Sequence, residues 1–122
     1  MNFKILKSKL SEPLSLLASV AESRQSIPIL SNIFIKAEND LITLIATDLE
    51  IELSFKIECD SIVEPGETTV SARKIFDLTR SLSDETPLEF NLKENQLIVT
   101  ALKFNGEFAI LPIQDFPVIE IE

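Results

Sequence analysis

Two hydrophobic periodicities alternate along the chain, and the order in which they occur repeats. Residues 88–93 alternate apolar and polar side chains, which predicts a strand with one buried face. Leu10, Leu14, Leu17 and Ala21 instead recur at steps of three and four, which predicts an amphipathic helix. Such a chain must fold into helices and sheets that each bury one side.

The predicted order is a strand, a helix and three strands, and it occurs twice. The first half contains a strand at 2–7, a helix at 9–22 and strands at 32–37, 41–47 and 49–58, with a turn at Glu38–Asp40 between the strands 32–37 and 41–47. The second half contains a strand at 67–71, a helix at 72–82 and strands at 88–93, 96–101 and 104–110. We predict one domain over residues 1–122, with internal repeats at about 1–60 and 61–117. The expected fold class is α+β, with two antiparallel inner helices backed by antiparallel outer sheets.

A few residues mark where these helices begin and end. Pro13 belongs in the first turns of a helix, so the first helix is expected to start between Ser8 and Glu12. Ser71 is a favourable N-cap for the second helix, and Pro87 blocks its continuation.

The composition removes most catalytic chemistry. The chain has no histidine, which removes the commonest general base, the commonest metal ligand and the Ser-His and Cys-His nucleophile pairs. Cys59 is the single cysteine, and no cation flanks it, which favours a small strand residue over a reactive thiol. The chain lacks an apolar signal core and any run near the roughly 20 apolar residues of a membrane helix. A cytoplasmic protein is therefore expected.

The second predicted helix carries cations on one side of an otherwise acidic chain. The net charge is −9, which argues against a simple basic nucleic-acid binder. Arg73, Asp77 and Arg80 share the face opposite the apolar stripe, and Arg73 and Asp77 are spaced to form an ion pair. This face is either a solvated surface or a small basic surface aimed at phosphate.

The outer face of the first helix is polar and weakly charged. It carries Glu12, Ser15, Ser19 and Glu22. Such a face suits the lining of a hydrated channel as well as an ordinary solvent surface.

Three carboxylates suggest an alternative function. Asp48, Glu50 and Glu52 are expected on one side of a strand, where they are consistent with a small metal-dependent hydrolase. A solvated strand face is the favoured interpretation, because like charges there discourage edge-to-edge aggregation.

Four segments resemble one protein family in matching order. They read SRQSIPILSN at 23–32, ATDLEIEL at 46–53, EPGETTVSARKIFDLTRSL at 64–82 and LPIQDFP at 111–117. With the N-terminal strand and helix, they are similar to the first domain of the bacterial DNA polymerase III beta subunit, the sliding clamp. The resemblance covers essentially the whole chain.

The resemblance implies a DNA-clamp fold and a role without catalysis, metal or cofactor. In the family, three such domains form one chain, and two chains join head to tail into a ring with helices around the hole. The ring encircles double-stranded DNA and makes the polymerase processive, and a clamp loader opens it using ATP. The implied partners are DNA, a second clamp subunit, and DNA polymerase III and the clamp loader through later domains. The alternating segment at 118–122 is expected to connect to the second domain, so we expect this chain to be a fragment.

The resemblance also implies two sets of site residues. Arg24 and Arg73 match positions that face DNA in the family, and Arg80 joins them because it shares the helix face of Arg73. The implied subunit contact uses the edge strand at 104–110. Its residues in this chain are Lys74 and Lys103, which are expected to pair with acids of the partner, and the apolar Phe108 and Ile110.

The edge strand departs from the family pattern at two positions. Gly106 stands where a large apolar residue is usual, and Asn105 stands where arginine is common. Asn105 followed by Gly106 is also a strong signal for a two-residue hairpin turn. Either the turn lies at these residues or the edge strand is weakened.

Overall fold

The computed structural model describes residues 1–21, 26–102 and 104–117. The strands are β1 (Asn2–Leu6), β2 (Asn32–Glu38), β3 (Leu41–Thr47), β4 (Glu52–Glu58), β5 (Ser61–Glu64), β6 (Gly66–Ser71), β7 (Pro87–Leu92), β8 (Gln96–Ala101) and β9 (Phe104–Leu111). The helices are α1 (Lys7–Ala21) and α2 (Ala72–Arg80), with short 3-10 helices at Pro28–Ser31 and Ile113–Asp115. Within these ranges, no helix is long and apolar enough to cross a membrane.

The nine strands form one antiparallel sheet in the order β4-β3-β2-β6-β9-β8-β7-β1-β5. The first strand of each predicted repeat pairs with the other repeat: β1 pairs with β7, and β6 pairs with β2. This exchange joins the two halves by strand pairing within the sheet. The α+β class and the repeated element order are confirmed, with β5 as an added strand.

The core lies between one face of the sheet and the two helices. The predicted stripe of Leu10, Leu14, Leu17 and Ala21 is buried there, as is Ile75 of α2. A smaller apolar cluster forms where the 3-10 helices pack against the opposite face of the sheet. Because α1 and α2 also pack against each other, their remaining faces point away from the sheet.

Helix α1 begins earlier than predicted. The backbone N–H groups of Lys7 and Ser8 donate to the carbonyl oxygens of Thr86 (2.9 Å) and Asp84 (3.1 Å). The buried ammonium group of Lys7 lies 2.9 Å from Oδ1 of Asp84. This loop of the second repeat caps the helix, so α1 starts directly after β1 and continues through Pro13. The expected start between Ser8 and Glu12 was therefore wrong, and the predicted end at residue 22 lies outside the described residues.

The strand predicted at 49–58 begins only at Glu52, because a tight turn precedes it. Oδ1 of Asp48 accepts hydrogen bonds from the backbone N–H groups of Glu50 (2.9 Å) and Ile51 (2.8 Å). Leu49 has a positive φ of 79° within this turn. By contrast, the predicted turn between β2 and β3 is confirmed, with Asn39 and Asp40 both at positive φ.

Strand β9 runs straight through Asn105 and Gly106, the pair that has the local signal for a hairpin turn. Asn105 pairs with Thr100 of β8, and Gly106 pairs with Val99. The predicted strand at 104–110 is therefore confirmed, the alternative of a turn at this pair is excluded, and the connection between β8 and β9 lies earlier, after Ala101. Neither residue has a positive φ, so the chain does not use their preference for that conformation.

Candidate nucleic-acid interface

The exposed face of α2 carries two arginines with an aspartate between them. Nε of Arg73 lies 3.9 Å from Oδ2 of Asp77, and Nη2 of Arg80 lies 3.3 Å from Oδ1 of the same carboxylate. About half or more of each arginine side chain is exposed, 50% for Arg73 and 61% for Arg80. The helical spacing therefore predicted this shared face correctly, and the carboxylate bridges the two cations.

Arg80 has a second contact that the sequence reasoning missed. Its guanidinium lies 5.4 Å from the centre of the Phe76 ring, within the range of a cation–π interaction. The ring of Phe76 packs against the core, so it is a fixed platform for the arginine. The spacing of four residues was the available signal, because such side chains are neighbours on a helix.

The neighbouring face of α1 is polar, as expected. Glu12, Ser15 and Ser19 are exposed, and the hydroxyl of Ser19 donates to the carbonyl oxygen of Leu16 at 2.7 Å. Leu16 itself is exposed on this side, which the sequence reasoning did not anticipate. Together, the helix faces that point away from the sheet combine a lightly charged polar surface with the Arg73–Asp77–Arg80 group.

A partly open strand edge lies beside the start of α2. Strand β9 pairs with β8 along residues 104–109, whereas its pairing with β6 covers only Ile110 and Leu111. Within the described residues, the second edge of 104–109 therefore has no strand partner. Helix α2 begins where β6 ends, with the predicted Ser71 cap accepting a hydrogen bond from the N–H of Lys74 at 3.2 Å.

Three of the predicted contact residues meet at this edge. Lys74, Phe108 and Ile110 line one groove of about 360 Å³ between the start of α2, β9 and the first 3-10 helix. Lys74 is exposed, while Phe108 and Ile110 are half-buried and pack against the core. The groove thus has an apolar floor with a cation at its rim.

The unusual Gly106 is explained by the ring of Phe108. A Cβ atom added at Gly106 would lie 2.8 Å from Cε1 of Phe108 and 3.8 Å from Cδ2 of Leu78. The Phe108 ring therefore fills the space that a side chain at 106 would take.

A buried threonine that was not predicted holds the end of β9 in place. Oγ1 of Thr69 donates to the carbonyl oxygen of Leu111 at 2.7 Å and accepts a hydrogen bond from Nδ2 of Asn32 at 3.1 Å. Both side chains are buried beneath the groove. No local sequence signal marks this network, because its members come from three strands.

The three carboxylates of the alternative function are not arranged as expected. Asp48 caps the turn before β4, Glu50 lies in that turn, and only Glu52 belongs to the strand. Among the described residues, no group of three or more carboxylate and thiol side chains is placed to hold a metal ion. The prediction of one carboxylate row on a strand was wrong, because the Asp48 side chain binds backbone N–H groups instead.

Cys59 lies just after β4 and is partly buried. Burial is the main cause that raises the pKa of its thiol above the ordinary value, with the Asp60 carboxylate adding to the effect. A raised pKa keeps the thiol protonated, so the side chain is a poor nucleophile. This favours the structural interpretation, although Cys59 is not in a strand.

A family model described as DNA polymerase III beta subunit, N-terminal domain, matches residues 1–120. The chain belongs to this family. The beta sliding clamp of Pseudomonas aeruginosa is 38% identical over 120 residues, which cover 98% of this chain and 33% of that protein. A beta sliding clamp of Vibrio harveyi is 36% identical, with 98% and 83% covered. The chain spans about a third of the length of the Pseudomonas relatives it matches.

The fold agrees with solved members of the family. A crystal structure of the DNA polymerase III subunit beta from Pseudomonas aeruginosa superposes with a TM-score of 0.93 at 37% identity. The match covers 100% of this chain and 33% of that one. Two residues of the predicted sets, Arg24 and Lys103, lie outside the described residues, so their places in this family fold stay predictions.

Proposed function

We propose that this chain forms one domain of a sliding clamp, a ring that encircles double-stranded DNA and keeps the replicative DNA polymerase on its template. One observation carries the proposal. Helices α1 and α2 pack side by side, and α2 presents Arg73 and Arg80 on the face away from the sheet. A ring of such domains places helices around the hole and sheets on the rim. The role is non-catalytic and belongs in the cytoplasm, with the chromosome.

The charge distribution supports weak binding without sequence preference. The chain carries a net charge of −9, so the few arginines on the helix face belong to a protein that is acidic elsewhere. Contacts to phosphate provide affinity but no sequence information. A closed ring cannot leave DNA sideways, so it needs little affinity, and strong contacts would hinder sliding. Arg24, Arg73 and Arg80 are the proposed DNA-binding residues.

The open part of β9 is the proposed contact with a second clamp subunit. A head-to-tail ring joins two different surfaces of the domains, and a strand edge with an apolar groove supplies one of them. We assign Lys74 and Lys103 to ion pairs with the partner, and Phe108 and Ile110 to its apolar centre. DNA polymerase III and the clamp loader are proposed to bind domains that follow this one in the complete ring protein.

A titration of the 122-residue chain with a short DNA duplex tests the DNA-facing surface. At low salt, amide resonances of α2 and of the polar face of α1 are expected to shift, while those of β4 stay unchanged. Affinity is expected to fall steeply with salt, because phosphate contacts release counterions. Shifts confined to the sheet, or tight binding at physiological salt that depends on base sequence, would contradict the proposal.

Removing both arginines of the α2 face makes this test more specific. The double change Arg73→Ala and Arg80→Ala is expected to weaken binding roughly tenfold or more at low salt and to lower the salt slope by about 1.8, or 0.9 per phosphate contact. The control removes two cations from the opposite face of the sheet, with Lys36→Ala and Lys56→Ala. An equal loss of affinity in the control would show that net charge, and not the α2 face, is responsible.

A further inference from the structure

Asp77 is the one acid among the described residues that contacts both arginines of the α2 face. Each of its carboxylate oxygens faces a different guanidinium, at 3.9 Å for Arg73 and 3.3 Å for Arg80. All three side chains are about half exposed, so the group lies where solvent or a ligand can reach it. An acid at the centre of a phosphate-binding surface works against binding, since it repels the ligand.

We propose that Asp77 offsets the charge of Arg73 and Arg80 and thereby keeps their contacts with duplex DNA weak. This inference rests on the proposed function. A phosphate that approaches either guanidinium must compete with the carboxylate already beside it. The local charge of the group is one positive unit instead of two, which suits a surface that has to slide along DNA.

We expect Asp77 to act mainly by offsetting charge. Its effect on the positions of the Arg73 and Arg80 side chains should be small. Ion pairs between exposed side chains hold their geometry weakly, because solvent screens them and the side chains lose entropy. Arg80 also retains its contact with the Phe76 ring, 5.4 Å from the ring centre, when the carboxylate is gone. Removing the acid therefore leaves Arg80 supported and relieves the repulsion of phosphate.

The test compares the binding of a short DNA duplex by variants of the 122-residue chain, followed by the amide resonances of α2. Asp77→Asn keeps the shape of the side chain and removes its charge. It is expected to bind about two- to fourfold more tightly at low salt, the effect of one charge roughly 7 Å from a phosphate in water. The gain should shrink as salt is raised, because the Debye length falls towards that distance.

Two further variants separate charge offset from a structural role. Asp77→Glu retains the carboxylate and is expected to bind DNA as the unchanged chain does. Glu52→Gln makes the same change of charge on the outer face of β4 and is expected to have no effect. Thermal unfolding of each variant checks that the fold is intact at the temperature of the titration.

The outcomes separate this inference from the proposed function. The proposed role of Asp77 is wrong if Asp77→Asn binds DNA no more tightly than the unchanged chain, or if Glu52→Gln gives an equal gain in affinity. Neither result would contradict the proposed DNA-facing surface. If duplex DNA shifts no α2 resonance of the unchanged chain, the proposed function itself fails. A gain with Asp77→Asn alone, lost at higher salt and absent in Asp77→Glu, supports the inference.

Discussion

Replacing Phe3 with alanine is expected to lower the free energy of unfolding by about 3–5 kcal/mol, the usual loss for a fully buried phenylalanine. Phe3 is 1% exposed, and its ring stacks on that of Phe90 with 4.7 Å between the centroids. These rings join β1 to β7, so they lie where the first repeat enters the sheet of the second. Chemical denaturation of the 122-residue chain measures the loss.

The matched control is Phe108→Ala, because Phe108 is half-buried on the partly open edge of β9. It should lose only about 1–2 kcal/mol, in proportion to the apolar area that it buries. A double-mutant cycle with Phe90→Ala should give a coupling near 1 kcal/mol for the stacked pair. Equal losses at Phe3 and Phe108 would show that the exchanged strand is not a main source of stability.

A Phe108→Asp change is expected to weaken subunit association at least about 30-fold, or 2 kcal/mol, as for a central residue of an interface. The change is made in a chimera in which this chain replaces the matching segment of the Pseudomonas aeruginosa beta sliding clamp. Phe108 forms the floor of the groove beside Lys74, and a carboxylate there would lose its water when the partner subunit covers the groove and would compete for Lys74 with the acids of that subunit. Sedimentation over a range of concentrations measures the dimer dissociation constant.

Val63→Asp is the control for this experiment. Val63 is 67% exposed on β5, the strand at the end of the sheet, so the same apolar-to-acid change occurs away from β9. This variant is expected to associate as the parent chimera does. A Phe108→Asp chimera that stays as tightly dimeric as its parent would rule out the β9 edge as the subunit contact. Phe108→Ala, which adds no charge, should give a smaller loss and shows whether packing alone matters.

The elements that could be predicted from the sequence are those whose signal is local. The stripe from Leu10 to Ala21, the Asn39–Asp40 turn and the Ser71 cap depend on residues within a few positions of one another, and all three are confirmed. The shared face of Arg73 and Arg80 follows from helical geometry in the same way.

The elements that were missed depend on partners far away in the chain. Strand β5 has only a short stretch of apolar residues and forms because it pairs with β1, with Phe3 opposite Ile62. Helix α1 starts at Lys7 because carbonyl groups of a distant loop accept its first N–H groups. At Asn105 and Gly106, pairing with β8 decided between the predicted strand at 104–110 and the turn that this pair favours locally.

The sequence alone determined that this chain has two helices backed by antiparallel strands in a repeated order, since periodicity fixes which face of each element is buried. The tertiary structure decided how the repeats interlock through β1 and β6, and which edge of β9 stays open. It also decided that the ring of Phe108 fills the space at Gly106. In the same way, it decided that the Asp77 carboxylate contacts both arginines of α2. These features depend on distances between side chains and on strand pairings across the fold, which no single segment of sequence specifies.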